Sequence, residues 1–151
     1  GQRVEAEWPY LSVAPEDMPS DWGAPDGIGA LYRRVATEQP GDCMLIRRAI
    51  DSQVPVVAII VLCPSFYQPG KDGLVEMKTG EALLTKFVHA VLCVGLGTIN
   101  GASAFLVRNS WGAAWGLGGH AWIFERDMKR LLISVAELGE DPDVPNNPFS
   151  A

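Results

Sequence analysis

The chain has 151 residues, 48% of them hydrophobic and 20% charged, which is the make-up of one globular domain and excludes a disordered or fibrous protein. Eighteen acidic side chains against twelve basic ones leave a formal charge of -6, which argues against a nucleic-acid surface or an anionic membrane surface as partner. No apolar run approaches the ~20 residues of a spanning helix.

The chain opens on Gly1-Gln2-Arg3, with no methionine and no signal-peptide pattern, and reads as a processing end or a cloning boundary. Residues 11–42 are rich in Pro, Gly, Asp and Glu, with a sustained pattern only at 28–35, so 1–41 reads as a long surface connection. Asp42 then stands as an N-cap, and Leu45, Ile46, Ala49 and Ile50 recur at helical spacing, predicting a helix that ends before Pro55. Residues 54–62 (VPVVAIIVL) follow as a β-branched apolar run, expected to be a fully buried strand. Residues 64–78 read as a loop and short strand, and 80–87 as an insert with some helical character. Residues 90–96 and 104–107 are two more apolar strands, with a connector of hairpin length at 97–103. A third strand is expected at 119–125. Met128, Leu131, Leu132, Val135 and Leu138 form a helical stripe within 127–138. The tail, 139–151, holds three prolines and two asparagines and is expected to fray. The fold class is α+β, with an ordered β-rich lobe over 42–138.

The chemistry concentrates at 89–122. If the two strands pair antiparallel about 97–103, setting Leu96 across from Ala104 puts Val91 across from Asn109, two residues from His89. Paired strands lie ~4.8 Å apart and advance ~3.4 Å per residue, so the imidazole of His89 and the amide of Asn109 can meet. A histidine needs a partner on one ring nitrogen before the other can handle a proton. An amide carbonyl suits a base paired with a thiolate, because it orients the ring without adding negative charge. Trp111 can keep water off that contact and so strengthen it. Taken singly, the same residues also fit a buried hairpin with a satisfied histidine and an asparagine at a turn.

Together, His89-Ala90-Val91-Leu92, Val94-Gly95, Asn109-Ser110-Trp111-Gly112, Trp115-Gly116 and Gly118-Gly119 resemble, in order and spacing, the C-terminal half of the papain-like cysteine peptidases. The resemblance implies a papain-like antiparallel β-sheet or barrel lobe with a few short helices. It also implies His89 as general base and acid, Asn109 as its orienting residue and Trp111 as the shield over their hydrogen bond. Trp8-Pro9-Tyr10 resembles an aromatic-Pro-Tyr turn of the family, and the helix and Pro-Val strand over 42–62 resemble the floor of its substrate cleft. The likeness covers roughly 7–126, all downstream of the family's nucleophile. Only 88 residues precede His89, and none resembles the family's Gln…Cys-Gly-Ser-Cys-Trp element, so the first lobe is expected to be largely missing and 1–41 to belong partly to it.

Three cysteines make neither a disulfide framework nor a zinc set, and the odd count fits a reducing, cytoplasmic compartment better than a disulfide-rich secreted one, with a secreted effector as the alternative. Cys93 shares the His89 face of its strand but lies four residues along, ~13 Å away, too far for proton transfer at ~3 Å. Cys63 closes its strand with no helix terminus to activate it. Cys43 is the alternative nucleophile: a helix start favours a thiolate, although Asp42 beside it opposes one. His120 reads as a satisfied strand histidine. No clustered ligands suggest a metal, and no cofactor is implied.

Two functions follow. In the first, the chain is the C-terminal portion of a cysteine peptidase that hydrolyses peptide bonds, its cysteine coming from an N-terminal segment or another chain. In the second it is a non-catalytic papain-like remnant that binds a peptide or protein. In either case a dimer or companion fragment is expected to cover apolar surface left by the missing lobe, and the isolated chain is expected to be inactive.

Overall fold

The computed structural model describes residues 32–37 and 40–140, and its first strand, β1 (Tyr32–Thr37), overlaps the one patterned stretch of the N-terminal connection. Trp8-Pro9-Tyr10, Trp22 and the tail beyond 140 lie outside the described residues. The helix expected after Asp42 forms as α1 (Met44–Asp51), but its N-cap is Cys43 rather than the expected Asp42, whose Oδ1 accepts the Met44 N–H at 2.8 Å from one residue further out. Gln53, in a left-handed conformation, turns the chain out of this helix ahead of Pro55.

Next comes β2 (Val56–Leu62), and here the expectation of full burial is corrected: buried and half-buried residues alternate along it. Its inward set, Val56, Ala58, Ile60 and Leu62, packs in one core with Ile46 and Ala49 of α1, while Val57, Ile59 and Val61 face the less covered side. Residues expected to be loop contain a one-turn helix, α2 (Pro64–Tyr67), ahead of the short strand β3 (Leu74–Val75). The helical insert expected at 80–87 is absent. From Leu84 that stretch is already strand, the start of the long β4 (Leu84–Ile99), held by pairing with β2 from Leu62–Leu84 to Val56–Cys93.

β4 turns into β5 (Ala102–Arg108) through Asn100 and Gly101 alone, at φ 50° and 80°. This is the paired left-handed conformation of a two-residue hairpin, so the turn is far tighter than the seven-residue connector expected. β6 (His120–Phe124) returns as the third strand and runs straight into α3 (Glu125–Leu131). The long C-terminal helix expected over 127–138 ends at Leu131, and Leu132 onward forms β7 (Leu132–Glu140). An open edge of β2 takes up Leu132, Ser134, Val135 and Ala136, and β1 covers the other side of β7. Ladder hydrogen bonds and the β-branched Ile133 and Val135 thus override a stripe that also fits a helix.

The strands form one seven-stranded sheet in the order β1-β7-β2-β4-β5-β6-β3, antiparallel except for the β3–β6 pair. The fold is α+β. The sheet starts at Tyr32 and ends at Glu140, on either side of the lobe boundaries expected at 42 and 138. Met128 and Leu131 of α3 join Val91, Cys93, Phe105, Val107 and Ile123 in the core. Among the described residues, no helix is long and apolar enough to cross a membrane.

Candidate active site

His89 lies on β4 opposite Ile60 of β2, on the same strand face as the buried Val91 and Cys93. It is the residue at which that face passes from core to solvent. Asn109 follows the last residue of β5. Leu92 pairs with Arg108, one step short of Val91 opposite Asn109. Farther along, the expected Leu96–Ala104 pairing is replaced by Leu96–Phe105 and Gly97–Ala104, because an irregularity between Cys93 and Gly95 absorbs one residue. The bulge lies beyond the site, so the pairing near His89 is unaffected.

The two side chains meet: His89 Nε2 is 2.8 Å from Asn109 Oδ1. The Ser110 backbone N–H also donates to Asn109 Oδ1, at 2.8 Å, which fixes that atom as the carbonyl oxygen. A carbonyl oxygen only accepts, so Nε2 carries the proton and the Nδ1 lone pair is left for chemistry. Asn109 is 7% exposed, and its own N–H donates to Gly119 O at 2.9 Å. Within the described residues its Nδ2 finds no acceptor. The connection back to β6 is built on Gly112, Gly116, Gly118 and Gly119, all at positive φ. At Gly116 a Cβ would stand 2.2 Å from His120 O, so only glycine closes this turn.

Trp111 packs on the imidazole, with ring centroids 4.9 Å apart and a tilt of 35°, while remaining 39% exposed. Two partners in this packing were not singled out in the sequence. Phe66, fully buried on α2, meets His89 edge-on at 5.9 Å and Trp111 at 5.5 Å, and Tyr67 stacks on Trp111 at 5.3 Å. The Trp115 indole N–H donates to Phe66 O at 2.9 Å, tying α2 to the loop that carries Trp111. Pro64 at the first turn was the available signal for α2, since proline is preorganised for that position. His120 Nδ1 faces Gly118 O at 3.1 Å, a local contact away from this cluster.

All three cysteines are buried and free, and none is presented as an accessible thiolate. Cys43 heads α1 but is only 2% exposed. Burial, joined by the charges of Glu125 and Asp42, pushes its thiol up to about 11. The helix terminus does not win there. Burial pushes Cys93 up to about 12. Cys63 is raised as well, chiefly by burial. Among the described residues, no three His, Cys, Asp or Glu side chains gather to hold a metal ion.

A family model described as papain family cysteine protease matches residues 28–136. Papaya proteinase 4 of Carica papaya is 31% identical over 124 residues, which are 80% of this chain and 32% of that protein. A silicatein of Petrosia ficiformis is 30% identical over 94 residues, 62% of this chain and 27% of that protein. The structure of digestive procathepsin L2 proteinase from Tenebrio molitor larval midgut overlays with a TM-score of 0.63 at 25% identity, covering 89% of this chain and 41% of that one. This chain therefore spans less than half the length of each of these relatives. The match runs through β1, the His89 hairpin and β7, and on that evidence the chain belongs to the papain family of cysteine proteases.

Proposed function

We propose that this chain supplies the His–Asn part of a papain-like peptidase site, completed by a cysteine from a segment outside the 151 residues. The observation that carries the reading is the His89 Nε2 to Asn109 Oδ1 contact, which leaves Nδ1 as the base. The incoming thiol gives its proton to Nδ1, and the thiolate attacks a peptide carbonyl. His89 then returns the proton to the leaving amine, and the acyl group stays on sulfur as a thioester. Water, deprotonated at the same nitrogen, hydrolyses that thioester and regenerates the thiol. Asn109 holds the ring through both proton transfers, and Trp111 limits water on one face.

The burial of Cys43, Cys63 and Cys93 supports a nucleophile from elsewhere. The same burial favours a second reading, a papain-like module that binds a peptide or protein without cleaving it. Phe87 and Val88, beside His89, are 57% and 59% exposed, which supports a companion segment or second chain against this end of β4.

A fluorogenic peptide library assayed with the chain alone, and then with a cysteine-bearing N-terminal segment of the same precursor, separates the readings. The peptidase reading expects no turnover alone and turnover with the segment, with His89→Ala lowering the restored kcat/KM by ~10²–10⁴-fold. Turnover by the chain alone, abolished by Cys43→Ala, would sink it. Binding of the segment without turnover would leave the binding module.

A further inference from the structure

The aromatic support beneath His89 rests on α2, and α2 cannot hold itself. It is a single turn of four residues, begins with a proline, and has no side-chain cap from its own N-cap residue, Cys63. A helix this short has no independent stability, and its first free N–H, that of Ser65, needs an acceptor. The acceptor comes from sixteen residues downstream: Glu81 Oε1 takes the Ser65 N–H at 2.6 Å. The other oxygen, Oε2, takes the Ser65 hydroxyl at 2.6 Å and the Lys78 N–H at 2.8 Å. Glu81 is held in turn, since the Arg130 guanidinium of α3 donates to its backbone carbonyl at 3.0 Å. Burial works against charge on Glu81, but the bonds from Ser65 and Lys78 outweigh it and hold the carboxyl below its ordinary range.

We infer that Glu81 is a positioning residue for the His89–Asn109 pair, acting through α2: its carboxylate fixes Ser65, and Ser65 fixes the Phe66 and Tyr67 rings against His89 and Trp111. The inference rests on the reading of His89 as the base. Phe66 touches the imidazole edge, and its carbonyl anchors Trp115 in the loop between Asn109 and Gly119. Both sides of the His–Asn contact therefore lean on the same helical turn. A carboxylate is required there. Three donors converge on two oxygens, and an amide in that place presents a donor to the Ser65 hydroxyl and the Lys78 N–H.

The test is imidazole nitrogen NMR on the whole chain labelled at histidine, which has only His89 and His120 to assign. Wild type is expected to show His89 as a single tautomer protonated at Nε2. Glu81→Gln is expected to lose that single state and give a tautomer mixture, with His120 unmoved. Glu76→Gln, at an exposed carboxylate, serves as the charge control and is expected to leave His89 alone. A Glu81→Gln chain that melts lower but keeps the Nε2-protonated signal overturns the inference, since Glu81 is then only a brace for stability. A wild type that itself lacks that tautomer overturns the base reading, which is a separate failure. If Glu81→Gln does not fold, Ser65→Ala removes only the hydroxyl arm, and the same comparison decides the question with a smaller expected loss.

Discussion

His89 owes its geometry to one acceptor atom. Asn109 Oδ1 receives both the imidazole N–H and the Ser110 backbone N–H, each at 2.8 Å, so neither the amide nor the ring can reverse without losing a bond. Asn109→Ala is expected to leave the fold in place and free the ring, giving a tautomer mixture at His89 by NMR. An unchanged single tautomer would show that packing by Trp111 and Phe66 suffices. At the cysteines the physics runs the other way. A thiol near 11, as at Cys43, is about one part in a thousand ionised at pH 8, and burial hides what remains. Iodoacetamide is therefore expected to label none of the three quickly until denaturant opens the core, and mass mapping of the labelled chain reads this directly. Fast labelling of Cys43 in the folded chain would contradict its burial.

The elements around the site are held by their ends. The loop returning Asn109 to β6 closes through Gly116, where a methyl group would overlap His120 O. Gly116→Ala is expected to cost about 2 kcal/mol or more in thermal unfolding and to perturb the His89 signal as well, because the loop carries the Trp115 anchor. Gly101→Ala, in the hairpin turn at the far end of β4, is expected to cost about 1 kcal/mol and leave that signal alone. α3 is tied to α1 by the Arg47–Glu125 ion pair, with Lys129 adding a second contact to Glu125 at 2.9 Å. The Arg47 hydrogen bond, with that of Lys129, lowers the Glu125 carboxyl from its ordinary 4.5. A depressed carboxyl contributes stability that is present above 4.5 and lost as pH falls through the lower folded value. Melting temperature is thus expected to drop on acidification below about 4.5, and Glu125→Gln to flatten that limb by lowering the neutral plateau. An unaltered acid limb in the variant would show that Arg47 and Lys129 do not hold the group.

Over the whole molecule, an open strand edge lies beside the site among the described residues. β5 pairs with β4 only from Leu92 onward, so the stretch of β4 from Leu84 through His89 has β2 on one edge and no strand partner on the other among the described residues. Phe87 and Val88 on this stretch are both more than half exposed. Tyr67 and Trp111 add exposed aromatic surface near His89. The chain is expected to sediment above its 16.3 kDa monomer mass, and Phe87→Glu with Val88→Glu to return it toward that mass without moving the His89 signal. A well-behaved wild-type monomer would count against a companion at this surface.

What the sequence determined by itself is local or carried by parity. Asn109 and His89 were brought together by counting two residues per pleat about a hairpin, and an Asn-Gly pair closes that hairpin as its chemistry requires. The Ile46–Ala49 spacing located α1 for the same reason, since periodicity acts over one turn, although the helix starts one residue later than Asp42 as its cap implied. The tertiary structure decided what depends on a distant partner. Leu132–Glu140 is strand rather than helix because β2 and β1 offer edges to it, and no residue within that stretch records those edges. The Phe66 and Tyr67 support, and Glu81 beneath it, joins segments sixteen or more residues apart through side-chain hydrogen bonds and ring contacts. Such contacts follow no period along the chain, so only the folded molecule reveals them.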